Sequence, residues 1–337
     1  VKKGGTVMFG WKDQRIKVHC VLSCMCEVVK RHSNVDYRPF YFNVWEEQFG
    51  WHEAGLSYYS DSFQPTRLMK WNERLFGVQT VQWHAPHQDP ATNAAKLVEL
   101  VEQAPRHRHV VVQIDMSLMP ERENTFNLSP FPHYVIVSAT EREDQWFMLD
   151  ADMKWEGTVS REQLLQAFIH NAYPDGFYMD AQTIQTPTPE NVIAFFYDQF
   201  HLDRNDLVTG LRTLVTRLTE DPSKIASLGD ALKHLYVIVI RKYGYDYALM
   251  FFHDELQLPR DNYEYWAQQI RDLVQAFNTL QFQAVKMSLT GSTGQLTSML
   301  ETLNKAEAIE RGIKMEMERE LTLWSAAQYA HVKGGTM

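Results

Sequence analysis

Three groups in the first half of this chain have the makings of a thiol enzyme. The first is the stretch Gln14-Arg15-Ile16-Lys17-Val18-His19-Cys20-Val21-Leu22-Ser23-Cys24. Cys20 follows a polar, extended segment and opens an apolar helical run. That puts its thiol at the positive end of a helix dipole, where the nucleophilic thiolate is favoured. Gln14, six residues upstream, is spaced to donate an amide N–H to a developing oxyanion, with the Cys20 backbone N–H as second donor. A cysteine nucleophile also needs a base and a group to orient that base. His133 opens the strand-like run at residues 133–138 (HYVIVS), directly after Pro130-Phe131-Pro132. Asp150 closes the next run, 146–150 (WFMLD). On adjacent antiparallel strands these two would meet, with the carboxylate on one ring nitrogen and the thiol on the other.

Each of these residues has a blander reading beside it. Free cysteine is among the most buried residue types, and Cys24 and Cys26 read as core. Cys24 lies one turn beyond Cys20 on nearly the same face, but mid-helix, away from the dipole and from the Gln14 spacing. A zinc reading of His19, Cys20, Cys24 and Cys26 lacks a second Cys/His pair, so neither a metal nor an organic cofactor is expected. Asp152 competes with Asp150 as orienter, since a strand places alternate residues on one side. Asp150 is preferred because it ends the apolar run directly. Asp115 closes the apolar run 110–114 and reads either as a strand-end hydrogen bond or as part of the site. The run Arg106-His107-Arg108-His109 reads as a solvated loop before a strand, or as a cationic contact for an acidic partner. The aromatics between Tyr37 and Trp51 read as core or pocket wall, with room for an apolar acyl or aryl group.

The elements that must position these groups are mixed at first and helical later. Strand-like runs at 110–114, 133–138 and 146–149 alternate with helical patterns at 20–31 and 91–103. Residues 182–189 (QTIQTPTP) read as a linker. Thr188-Pro189-Glu190 then gives a capping hydroxyl, a proline at the first helical position and an acid in the first turn. Amphipathic stretches follow at 189–200, 204–219, 223–255, 261–289 and 295–330. The expectation is an α+β catalytic domain over residues 1–185 and a helical domain over 186–337.

The ordered set Gln14, Cys20, His133 and Asp150 resembles the papain-like cysteine enzymes. It looks closest to the subgroup shared by bacteriocin-leader peptidases and the butirosin-pathway acyltransferase family. The stretch at 110–120 (VVVQIDMSLMP), with Asp115 ending its strand, is similar to those acyltransferases, as are His133-Tyr134-Val135-Ile136-Val137 and Leu149-Asp150-Ala151-Asp152. The resemblance spans roughly residues 10–170. It implies a papain-like domain with an antiparallel sheet, followed by a mostly α-helical domain. It also implies an acyl-enzyme on Cys20, a phosphopantetheine thioester on an acyl carrier protein as donor, and a small amine or alcohol acceptor in natural-product biosynthesis. The triad alone leaves a peptidase, amidase or thioesterase open, because water can resolve the same intermediate. A non-catalytic binding protein would instead keep Cys20 buried and distant from His133.

Composition sets the bounds. Of 337 residues, 45% are hydrophobic and 22% charged, with a formal charge of −9; these values exclude wholesale disorder and argue against a nucleic-acid or anionic-membrane coat. No apolar run reaches the roughly 20 residues of a membrane helix, and no apolar segment follows Lys2 and Lys3 to make a signal peptide. Three cysteines, all between Cys20 and Cys26, cannot staple such a chain, so a reduced, cytoplasmic setting is expected.

Overall fold

β-Branched residues build the centre of a sheet, and apolar helices cover it. The computed structural model describes residues 17–46, 49–60, 65–127 and 130–334. The chain forms two compact units, one from Arg15–Phe40 and Pro65–Asn191, the other including Tyr41–Gln64 and Val192–Met337. In chain order the elements up to residue 180 are α1 (Cys20–His32), the short hairpin β1 (Gly50–His52) and β2 (Gly55–Ser57), α2 (Thr66–Phe76), β3 (Gln79–Gln82) and α3 (Pro90–Glu102). Then come β4 (Arg108–Asp115), β5 (Pro132–Ala139), β6 (Gln145–Asp150), β7 (Trp155–Ser160), α4 (Arg161–Ile169) and β8 (Asp175–Asp180). Apart from the hairpin, all of these belong to the first unit.

The six longer-range strands pair in the order β3-β8-β4-β5-β6-β7, and every neighbouring pair is antiparallel. β4 is Val-rich and buried along most of its length, as a strand covered on both faces must be. Alternate residues Val110, Val112 and Ile114 join Val135 and Val137 of β5 in a core with α3 and α4. α1 packs against β5. It carries buried residues all round, from Cys20 to Val29, which marks a helix enclosed in its unit rather than lying on the surface.

The second unit is helical. α5 (Pro189–Tyr197) opens where the start signal lies, and the Thr188 hydroxyl accepts a hydrogen bond from the Asn191 N–H at 3.3 Å. α6 (Asp206–Thr219), α7 (Leu228–Ala231), α8 (Leu235–Val239), α9 (Gly244–Leu256), α10 (Arg260–Thr290) and α11 (Leu296–Gly334) follow. α11 packs on α10, α9 and α6. The single helix expected over 223–255 is broken by 3₁₀ turns at Pro222–Ser227 and Ile240–Tyr243. The second break coincides with two buried cations. Arg241 and Lys242 are both buried, and they reach the carbonyls of Tyr58 and Trp45 at 2.8 and 2.9 Å. The 3₁₀ turn carries both cations to these two carbonyls.

The architecture is thus α+β, an antiparallel sheet with a helical C-terminal part. The aromatics of residues 37–51 divide between the units. Trp45 stacks on Tyr245 with centroids 4.3 Å apart, and Phe42 packs on Phe196 and Phe252, so this part of the segment is helical-unit core.

Candidate active site

α1 begins at Cys20. Its N-cap residue, His19, is extended (φ −165°, ψ 116°) and supplies no side-chain cap, and the Ser23 N–H closes the first turn on the His19 carbonyl at 2.9 Å. The N–H groups of a first helical turn lack intrahelical acceptors, so the Cys20 sulfur lies beside donors suited to an oxyanion. The start of this helix is anchored from a distant segment. Asp152 Oδ1 accepts hydrogen bonds from the Val18 N–H at 3.1 Å and the Ser23 hydroxyl at 2.8 Å.

His133 is the second residue of β5, opposite Ile114 of β4. The β5–β6 register pairs Ile136 with Leu149. Continued by one residue, it sets Asp150 across from Val135, and His133, two residues further, faces the same side. The ring and the carboxylate meet accordingly, with His133 Nε2 2.9 Å from Asp150 Oδ1. Asp150 is fully buried and His133 nearly so. The same carboxylate oxygen accepts the Met153 N–H at 3.0 Å, which fixes Asp150 against the turn that follows it. Cys20 is also near enough to the His133 ring to help raise its basicity. With Nε2 engaged by Asp150, Nδ1 is the ring nitrogen left to serve the sulfur.

Electrostatics follow from these contacts. Burial works against a charge on His133, but the Asp150 charge and hydrogen bond, joined by Cys20, outweigh it and push the imidazole up to about 10. Burial alone would raise Asp150. The neighbouring His133, the Met153 N–H and Arg122 instead bring it below the ordinary carboxylate value. Asp150 thus favours the cationic form of His133, and a cationic imidazole near a thiol is what a cysteine nucleophile calls for.

The remaining residues singled out by sequence fall as follows. Gln14 lies outside the described residues. Asp152 does not meet His133 in any described hydrogen bond; it holds the start of α1. Asp115 is structural, its Oδ1 accepting from the Ser117 N–H, the Ser117 hydroxyl and the Phe131 N–H. Cys24 approaches the Tyr134 carbonyl at 3.6 Å, and burial pushes its thiol well up. Cys26 is equally buried. Of Arg106 to His109, the last two are not loop but the first residues of β4. Arg108 pairs with Asp180 at 3.0 Å across the sheet and stacks on Tyr178.

One site residue escaped the sequence reading. Arg122, nearly buried, brings Nη2 to 3.1 Å from Asp150 Oδ2. It sits in the connection between β4 and β5, a stretch without period or motif that nothing in the sequence singles out. Among the described residues no three His, Cys, Asp or Glu side chains are grouped to hold a metal ion. No described helix is long and apolar enough to cross a membrane.

Residues 15–184 match the DUF6005 N-terminal domain, and residues 190–336 match the DUF6005 C-terminal domain. The chain is also similar to the petrobactin synthase of Bacillus anthracis, with 40% identity over 312 residues, covering 92% of this chain and 95% of that protein.

Proposed function

This chain belongs to the DUF6005 family, and on that basis we propose that it is a biosynthetic acyltransferase working through a Cys20 thioester, on a papain-like fold. The observation that carries the reading is buried His133 paired with Asp150, with Cys20 at the start of α1 near enough to act on the ring. The relative is named a synthase, which favours a bond-forming reaction in natural-product biosynthesis over hydrolysis.

In this mechanism the Cys20 thiolate adds to the carbonyl of an acyl thioester presented on the phosphopantetheine arm of a carrier protein. The Cys20 N–H, with Gln14 as the second donor, stabilises the oxyanion. The donor C–S bond breaks, and the released thiol takes the proton from His133. An amine or alcohol acceptor then adds to the acyl-enzyme. Neutral His133 removes its proton, the Cys20 sulfur leaves as thiolate, and an amide or ester is released. The imidazolium is restored, and Asp150 holds the ring in one orientation throughout.

The test is intact-mass analysis of the full chain incubated with a panel of acyl thioesters, beside Cys20→Ala. A mass gain equal to the acyl group in wild type and absent from C20A is the expected result. No adduct with any donor would sink the reading. Decay of the adduct faster with amines than with water gives transfer; equal decay gives the hydrolase instead.

A further inference from the structure

Arg122 is an unusual residue to bury so close to the site. It is 6% exposed, on the connection between β4 and β5. The described residues of that connection are tied to one another. The Arg122 carbonyl accepts from the N–H groups of Thr125 and Phe126, and the Asn127 N–H donates to the Ser117 carbonyl. The guanidinium lies over the Trp155 ring, 5.1 Å from its centroid, and Nη2 also approaches the Met153 sulfur at 3.4 Å.

Its polar contacts are sparse for a buried arginine. The approach to Asp150 is close enough for an ion pair, yet neither Asp150 Oδ2 nor Arg122 Nε makes a hydrogen bond among the described residues. A guanidinium has five N–H donors, and burying it costs several kcal/mol unless its charge is compensated. Hydrogen-bond satisfaction does not explain its place; charge does. Asp150 is a buried carboxylate with two basic neighbours, His133 and Arg122. Cys24 from α1 also lies within electrostatic reach of Asp150, and it is not cationic.

Resting on the thiol-enzyme reading of the site, we propose that Arg122 is a positioning residue that acts through Asp150, its charge keeping that carboxylate ionised and held to His133 through the catalytic cycle. With Arg122 present, His133 can give up its proton and take it back without leaving an uncompensated buried carboxylate. Without it, the neutral-imidazole stage strands Asp150 as the lone buried charge.

The experiment follows Cys20 alkylation by iodoacetamide in the full chain from pH 3 to 8, by intact mass, in wild type, R122Q and R122K. In R122Q the acid limb of the rate is expected to move upward by about one pH unit, because a carboxylate that loses a neighbouring arginine protonates more readily. R122K, which keeps the charge, should recover most of that shift. Acyl-transfer turnover in R122Q should fall about tenfold with the donor KM little changed. An acid limb that stays in place in folded R122Q, whatever happens to its melting temperature, overturns the proposal. D150N and D150N/R122Q provide the second comparison, since removing both charges avoids a stranded buried ion if R122Q alone fails to fold. If Arg122 acts only through Asp150, the double variant should alkylate at the D150N rate; a further tenfold loss overturns the proposal. Alkylation needs no acyl donor, so this outcome is separate from whether the acyltransferase reading itself survives.

Discussion

At the scale of single residues the site holds a buried histidine–carboxylate pair, and that fixes how it should respond to pH. His133 is raised above its unfolded value of about 6.5 to about 10. Its contribution to stability is therefore complete below about pH 6.5 and runs down as pH climbs toward 10. Asp150 is lowered, so its contribution is present above about pH 3.9 and is lost as pH falls through the depressed folded value. Both act in full only between about pH 4 and 6.5. His133→Ala should consequently slow Cys20 alkylation at pH 6 by at least about tenfold, since the thiol loses its cationic neighbour. Urea melts at pH 6 and pH 9.5 should show the stability gap between wild type and H133A narrowing at the higher pH. A gap of equal size at both would contradict the charge pairing. The places of Cys20 at a helix start, His133 near a strand start and Asp150 at a strand end were legible from sequence because such ends leave marks in the apolar runs. Arg122 leaves none. Its role depends on where a loop lies in space, and nothing local encodes that.

At the scale of elements, the turn after β6 does two jobs. Asp150 orients the base, and two residues later Asp152 pins the start of α1 through Val18 and Ser23. Reading Asp152 as a rival orienter captured its proximity to the site but not its partner, because alternation along a strand fails once the chain leaves the strand at Asp150. Hydrogen bonds to a charged group contribute about 1.5–3 kcal/mol each. Asp152→Ala should therefore lower stability by about 2–4 kcal/mol in urea unfolding, and it should reduce Cys20 reactivity as the helix start loosens. A D152A chain that melts and alkylates like wild type would show that the anchor is dispensable. The strands carrying the site were readable from apolar runs because β4, β5 and β6 bury most of their residues. β3 (QTVQ) has no fully buried residue, and as an edge strand it needs none. Its existence is dictated by its partner β8 rather than by its own composition.

At the scale of the whole molecule, the sequence break near residue 185 corresponds to a change of texture, but the contact-defined units are not two successive segments. Residues 41–64 belong with the helices, and what draws Trp45 and Glu46 into that unit is partly ionic. Lys242 donates to the Trp45 carbonyl and pairs with Glu310, while Tyr245 and Asn205 donate to the two oxygens of Glu310 at 2.9 Å each. Lys314 pairs with Glu46 and donates to the carbonyls of His201 and Arg204. Amphipathic periodicity assigns such charges to solvent, which is why this network was invisible in sequence; Glu310, Lys242 and Lys314 are all buried. Burial would raise the Glu310 carboxyl, but Lys242 and Lys314 hold it below its ordinary value, so its stabilisation is present above about pH 4.5 and lost in acid. Removing one partner leaves an uncompensated buried charge and costs about 3–5 kcal/mol, whereas replacing both by apolar residues can be close to neutral. Lys242→Met and Glu310→Leu should each destabilise the protein by about that amount, and the double variant should cost less than either alone. A urea double-mutant cycle reads this as a coupling energy of several kcal/mol. If the two single losses simply add, the pair is not the unit that fastens the 41–64 segment to these helices, and the stability there resides in the aromatic packing of Trp45 on Tyr245.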